Sequence, residues 1–353
     1  MTGTMQAAVY HGPQDVRIEQ VLVPAPRDGE VLLAVRRNGL CGTDATEWAK
    51  GPVLVPLHRP HPASGHVGPM ILGHEFVGEV VDGSPGLPAG TLVASGAGVW
   101  CGQCDRCAEG RTNVCRNYYT LGLNAPGGLA EYVAAPAATL RPIPPGVSVD
   151  AAGMAQPLAV GLHAARRAGV RDGDSVVIIG AGAIGTFVLA GLIHLYRADL
   201  TVIDLPGKKL ERAARLGAAH TVSARSDVVA AVLERTGGRG ADVVIEASGA
   251  SGQFENALRM VSGGGRVLAV GLPKDKPAID LAAVALREIT VESTVAHVCD
   301  ADLVPALDIL AEGHLETALL ESVIPLPDVV ARGLEPLASG SAEGKILVAP
   351  TGR

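Results

Sequence analysis

From Ala151 onward the chain alternates short apolar runs with segments of helical periodicity. SVVIIG, LTVIDL, DVVIEASG, RVLAVGL and ITVEST read as strands. LAVGLHAARRAG, AIGTFVLAGLIHLY, KKLERAARLGA, DVVAAVLERTGG and FENALRMVSGG read as the helices between them. A crossover helix returns the chain parallel to the strand before it, so this alternation predicts a doubly wound parallel sheet, an α/β fold. Few other architectures accept it.

The first strand of that region runs into VVIIGAGAIG, with Gly180, Gly182 and Gly185 in the spacing G-x-G-x-x-G. The first glycine permits a tight turn. The second lets backbone approach a pyrophosphate. The third lets helix and strand pack closely, while the helix N-terminus, with Ala183 and Ile184, meets the phosphates. The spacing alone is weak in a chain with 45 glycines. Its place between an apolar strand and an apolar helix strengthens it. Asp204 closes the next strand, where a carboxylate accepts ribose hydroxyls and repels a 2′-phosphate. The expected cofactor is therefore NAD. Lys208 and Lys209 close by work against that preference.

Residues 1 to about 150 differ in character. AAVY, VLLAVRR, FVGEVV and LVAS read as short strands between turn signals such as RDGE and DGSPG. Four of the six cysteines lie in CGQCDRCAEGRTNVC. Cys101, Cys104, Cys107 and Cys115 can close a tetrahedron of thiolates around zinc, leaving no open position, which describes a structural site. An iron–sulfur cluster is an alternative from spacing. Disulfides are disfavoured in a large chain of cytosolic type. A second, dispersed set comprises Cys41 in GLCGTD and His74 with Glu75 in ILGHEF. One sulfur, one imidazole and one carboxylate can hold zinc and leave room for an exchangeable ligand.

The chain has 353 residues, long enough for two domains, and 48% are hydrophobic. A net charge of −7 and 3% aromatics argue against a nucleic-acid partner and an anionic membrane surface. The N-terminus lacks a secretory pattern. Residues 175–196 carry no Asp, Glu, Lys or Arg and could imitate a membrane span, but the glycines at 180, 182 and 185 favour strand, turn and buried helix. These features predict a cytoplasmic protein with a small-molecule substrate.

Together these motifs resemble the medium-chain zinc-dependent alcohol and polyol dehydrogenases over essentially the whole chain. The pieces occur in that family's order: C-G-T-D at 41–44, G-H-E at 73–75, the four cysteines, GAGAIG at 180–185 and DVVIEASG at 242–249. The stretch from EWAKGP to ILGHEF is most similar to the (R,R)-2,3-butanediol dehydrogenase branch. Sorbitol, threonine and sugar dehydrogenases are similar in the other motifs. The resemblance implies a GroES-like β-rich catalytic domain, residues 1–152 and 298–353, and a Rossmann domain, residues 153–297. It implies one catalytic and one structural zinc per chain, NAD, and a homodimer or homotetramer. It places Cys41, His74 and Glu75 at the catalytic zinc and gives Thr43 the hydroxyl proton. Asp204 and Lys209 would hold the adenosine ribose, and backbone at Val270 and Leu272 the nicotinamide carboxamide.

Two positions depart from the resemblance. Thr46 stands where butanediol and sorbitol dehydrogenases carry a relay histidine; Thr46, water or Glu47 would have to substitute. Gln156 stands where related polyol dehydrogenases usually carry Glu; some sugar dehydrogenases of the superfamily carry Gln there, and its amide oxygen can still touch zinc. The expected activity is hydride transfer between NAD and a secondary alcohol or vicinal diol. A sugar, polyol or cyclitol dehydrogenase is the alternative, and a non-catalytic NAD- and zinc-binding protein the alternative of another class. His58, His61 and His66 read as surface-loop residues, Trp48 as pocket wall or packing, and His297 with Cys299 as candidate cleft residues.

Overall fold

The computed structural model of the chain describes residues 3–273 and 275–351. Two compact units form: one runs through Gln156 and resumes at Val298, the other is Pro157–His297.

The second unit is built on six parallel strands in the order His220–Ser223, Asp199–Asp204, Ser175–Ile179, Ala241–Glu246, Val261–Ala269, Thr290–Ser293. Counted along the chain this is 3-2-1-4-5-6, a doubly wound sheet whose direction of winding reverses beside Ser175–Ile179. Successive residues of a strand face opposite sides. Val176 and Ile178 accordingly enter one core with Val202, Ile245 and Leu268, while Val177 and Ile179 enter the other with Ile203, Val244 and Val267. Burial of both faces explains the unbroken apolar runs.

One sequence expectation needs correction here. FENALRMVSGG is not helical throughout: the helix is Gln253–Met260, and Val261 already begins a strand. β-Branched Val261 and the glycines after it suit extended backbone better than helix. Two short elements carry no period of their own: the strand His220–Ser223 has a single aliphatic residue, and the helix Leu281–Leu286, LAAVAL, is apolar throughout and has no polar face.

The first unit is β-rich. Its larger sheet runs Leu140–Pro142, Leu92–Ser95, Glu75–Val80, Glu30–Gly39, Lys345–Ala349, Leu320–Pro325, with Tyr132–Pro136 also pairing Glu30–Gly39. A three-stranded sheet joins Asp15–Leu22, Thr4–Gly12 and Met70–Ile71. One register matters most. Gly39 lies opposite Glu75 on one neighbour and opposite Leu347 on the other. Segments distant in sequence therefore meet at the end of one strand. Among the described residues no helix is long and apolar enough to cross a membrane, and the glycine-flanked helix is Ala183–Leu195.

Candidate functional site

Cys41 follows the strand Glu30–Gly39 and caps the helix Gly42–Lys50. Glu75 opens the strand Glu75–Val80 that pairs with Glu30–Gly39, and His74 immediately precedes it. The register brings one ligand atom each of Cys41, His74 and Glu75 within 4.8 Å of one another. His74 and Glu75 are buried and Cys41 half-buried. Glycines make room: a Cβ on Gly39 would overlap Glu75 Oε2 and approach the carbonyl of Gly153 to 3.0 Å. Gly73, at φ +94°, needs its left-handed backbone to turn the chain into His74.

Two residues that sequence reasoning passed over hold this trio. Asp44 is wholly buried, and its Oδ2 accepts from the Cys41 N–H at 2.9 Å. Its Oδ1 lies 3.4 Å from His74 Nδ1, an ion-pair separation without hydrogen-bond alignment. The signal was present: an acid three residues past a helix cap is a capping pattern. Lys345, 3% exposed on the strand Lys345–Ala349, pairs with Glu75 Oε2 and donates to the Leu40 carbonyl at 2.8 Å. Only the sheet register reveals that contact.

Burial alone would lower the pKa of His74, but the Asp44 carboxylate and the Cys41 sulfur outweigh it and raise it well above the ordinary histidine value. A buried site that draws protons so strongly suits a cation. Sulfur, imidazole and carboxylate are donors zinc accepts, and three of them leave a position open. Thr43 Oγ1 lies 3.6 Å from Cys41 Sγ. Thr46 is exposed and donates to the Gly42 carbonyl at 2.8 Å. Glu47 does not reach toward the trio: it is 1% exposed and accepts from the Val53 and Leu54 N–H groups, at 2.9 and 2.5 Å, fixing the start of the following loop. Gln156 is half-buried in the first turn of the helix Ala155–Arg167, three residues after Gly153.

Cys101, Cys104, Cys107 and Cys115 also converge. Three of their S···S separations are 3.5, 3.6 and 3.8 Å. Thiolates at the Zn–S distance of about 2.3 Å on a tetrahedron stand about 3.8 Å apart. The group therefore fits a four-sulfur zinc. Backbone N–H groups of Arg116 and Cys107 bring the Cys104 thiol down to about 6. Cys299 belongs to neither group. It is buried, its sulfur lies 3.6 Å from the Thr139 carbonyl, and burial pushes its thiol up to about 11. Trp48 packs with the core around Tyr10 and Leu72, and His61 Nδ1 accepts from the Ala63 and Ser64 N–H groups within its own loop, at 3.3 and 3.2 Å.

In the second unit Gly180 turns at φ +104°. A Cβ on Gly185 would overlap the Gly180 carbonyl, whereas one on Gly182 would meet nothing within 4 Å. So Gly185 serves packing, and Gly182 faces open space at the helix N-terminus. Ala183 and Ile184 form the first turn behind it. Asp204 accepts from Ala181 N–H at 2.5 Å and Leu205 N–H at 2.6 Å. A carboxylate offers about four lone-pair positions, so two remain for ribose hydroxyls. Lys209 is half-buried in the first turn of the helix Lys208–Leu216. Val270 N–H donates to the Glu246 carbonyl at 2.8 Å. The turn at Gly249 approaches Leu272 so closely that a Cβ there would overlap the Leu272 carbonyl.

Residues 27–145 match the family model for the alcohol dehydrogenase GroES-like domain, and residues 183–312 that for zinc-binding dehydrogenase. An uncharacterised zinc-type alcohol dehydrogenase-like protein of Haemophilus influenzae is 32% identical, covering 90% of each chain. The (R,R)-butanediol dehydrogenase of Bacillus subtilis is 30% identical, covering 98% of this chain and 100% of that protein. The crystal structure of 2R,3R-butanediol dehydrogenase from Bacillus subtilis superposes with a TM-score of 0.90 at 29% identity, covering 98% and 100% of the two chains.

Proposed function

The chain belongs to the zinc-type alcohol dehydrogenase family, and on that footing we propose that it transfers hydride between NAD and a secondary alcohol or vicinal diol, in the manner of 2,3-butanediol and acetoin. The observation that carries this reading is the convergence of one ligand atom each of Cys41, His74 and Glu75 within 4.8 Å, a group that no further Cys, His, Asp or Glu joins among the described residues. When bound there, zinc would supply Lewis acidity that favours loss of the alcohol proton, and NAD would accept the hydride. Cys41, His74 and Glu75 would hold the metal, with Gln156 beside them as a neutral fourth donor. The approach of the Gly153 carbonyl to Gly39, which lies against Glu75, supports that place for Gln156.

The remaining work falls to side chains already described. Asp44 keeps His74 oriented, as partners of metal-binding imidazoles do. Lys345 offsets the charge of Glu75. Thr43 passes the substrate's hydroxyl proton outward: its oxygen accepts one proton while releasing its own, since its pKa is too high for it to act as a base. Asp204 and Lys209 hold the adenosine ribose, which favours NAD over its 2′-phosphate. Val270 and Leu272 offer backbone to the carboxamide. Cys101, Cys104, Cys107 and Cys115 hold a second zinc that stabilises fold alone.

A second reading, a sugar, polyol or cyclitol dehydrogenase, is favoured by Gln156 and by Thr46, whose hydroxyl proton is spent on Gly42. NAD reduction over 2,3-butanediol stereoisomers, sorbitol, glucose, inositol and threonine separates the two. Turnover of a butanediol supports the first; turnover confined to the cyclic or sugar substrates replaces it with the second. Metal analysis addresses catalysis itself: two zincs per chain are expected, and one would leave a non-catalytic NAD-binding protein.

A further inference from the structure

Glycines do not hold the dinucleotide turn alone. Ala181 sits in its middle, 1% exposed. Its N–H donates to Asp204 Oδ2 at 2.5 Å. Its carbonyl accepts from Thr186 Oγ1 at 3.2 Å and from Arg212 Nη2 at 3.1 Å. One residue is thus held by an acid through its amide and by a base through its carbonyl.

Arg212 is 7% exposed on the helix Lys208–Leu216. Arginine is seldom buried this far, because its charge must leave water. Nor does packing require it: Leu210, Ala213 and Leu216 of the same helix contribute apolar side chains to the core. The G-x-G-x-x-G spacing places no demand on this position either.

The peptide joining Ala181 to Gly182 supplies a reason for the charge. A trans peptide is planar, with its C=O and N–H pointing opposite ways. A donor that holds the Ala181 carbonyl inward therefore aims the Gly182 N–H outward, toward the open space at the start of the helix Ala183–Leu195. That is where a helix N-terminus receives phosphate. A guanidinium behind the same peptide adds positive potential in surroundings where charge is poorly screened.

We infer that Arg212 is a positioning residue for the cofactor's pyrophosphate, fixing the Ala181–Gly182 peptide from behind and adding charge to the anion site. This rests on the dinucleotide reading above and extends it to one part of the ligand. Arg212→Met removes both donor and charge; Arg212→Gln keeps an amide donor without charge; Arg212→Lys keeps the charge. Binding of NAD and ADP-ribose is measured by calorimetry and that of adenosine by competition, with circular dichroism to establish folding. Arg212→Met is expected to weaken NAD and ADP-ribose by about tenfold and adenosine by less than about twofold, consistent with loss of one charge-assisted hydrogen bond. Turnover at saturating NAD stays within about twofold, and added salt weakens ADP-ribose less in the variant than in the wild type. Arg212→Lys recovers part of the loss. A folded Arg212→Met that binds ADP-ribose as well as the wild type overturns the inference, as does an equal loss for adenosine, which would signify general collapse of the site. Should Arg212→Met not fold, Arg212→Gln is read against the same criteria with an intermediate loss expected. A wild type that binds no dinucleotide overturns the site itself; normal wild-type binding with unchanged variants overturns only the role of Arg212.

Discussion

Asp44 and Lys345 each touch two of the segments that build the trio of Cys41, His74 and Glu75, Asp44 through Cys41 and His74, Lys345 through Leu40 and Glu75. Removing one partner of a buried pair leaves the other charge uncompensated, at a cost of about 3–5 kcal/mol. Lys345→Met is expected to lose stability of that order in urea titrations of the zinc-free protein; an unchanged midpoint would show that Glu75 finds another partner. Gln156 makes a different demand. Zn²⁺ held as proposed by a thiolate and one carboxylate would make the site formally neutral, and Gln156→Glu would add a negative charge. Ionisation of a bound hydroxyl becomes harder, so the pH profile of alcohol oxidation should move upward; a superimposable profile would remove Gln156 from the site. Cys299 tests burial. Its thiol is pushed up to about 11, so at pH 8 only on the order of one molecule in a thousand is thiolate, the reactive form. Iodoacetamide at that pH should leave Cys299 unmodified in the native protein. The convergence of Cys41, His74 and Glu75 was legible in the sequence because metal chemistry restricts residue types. Lys345 was not, because nothing in GKILVAP distinguishes a buried ammonium from an exposed one until strands are paired.

At the scale of elements, the four-cysteine loop contains only a four-residue helix and a three-residue helical turn, and no side chain of the helix is buried. With so little core of its own, it would depend on the proposed metal for shape. Zinc in small peptides contributes about 10–16 kcal/mol of apparent binding free energy, though less is at stake in a large unit. Cys104→Ser should lower zinc from two to one per chain and reduce the melting temperature while the remaining folded protein keeps its turnover. Loss of turnover at full stability would reverse the roles given to the two metal groups. The parallel strands were legible for a related reason: burial on both faces writes a continuous apolar run. His220–Ser223 lies at the sheet edge with no residue fully buried, and an edge strand leaves no such mark. The boundary at Met260 was misread because strand follows helix with no intervening loop.

At the scale of the molecule, the second unit is an insertion: the chain leaves the first unit after Gln156 and returns at Val298. Its outermost strand, Thr290–Ser293, exposes Val291, and the preceding helix exposes Leu281 and Leu286, at 43%, 71% and 87%. An unpaired edge with apolar neighbours is where sheets add strands. The proposed homodimer or homotetramer would use this edge, so light scattering should report more than one chain per particle and Val291→Lys should shift the distribution toward monomer. A monomeric wild type would remove the proposal. The insertion also imposes an order on synthesis. On the ribosome, Cys41, His74 and Glu75 emerge early, but the ammonium that balances Glu75 and the strand that completes the sheet beside Gly39 emerge only after the whole Rossmann unit. Because domains tend to fold as they are made, the nucleotide-binding half can mature while the metal-binding half waits. A message cut short anywhere in the final segment would then yield a chain able to sequester cofactor yet unable to finish the pocket that uses it.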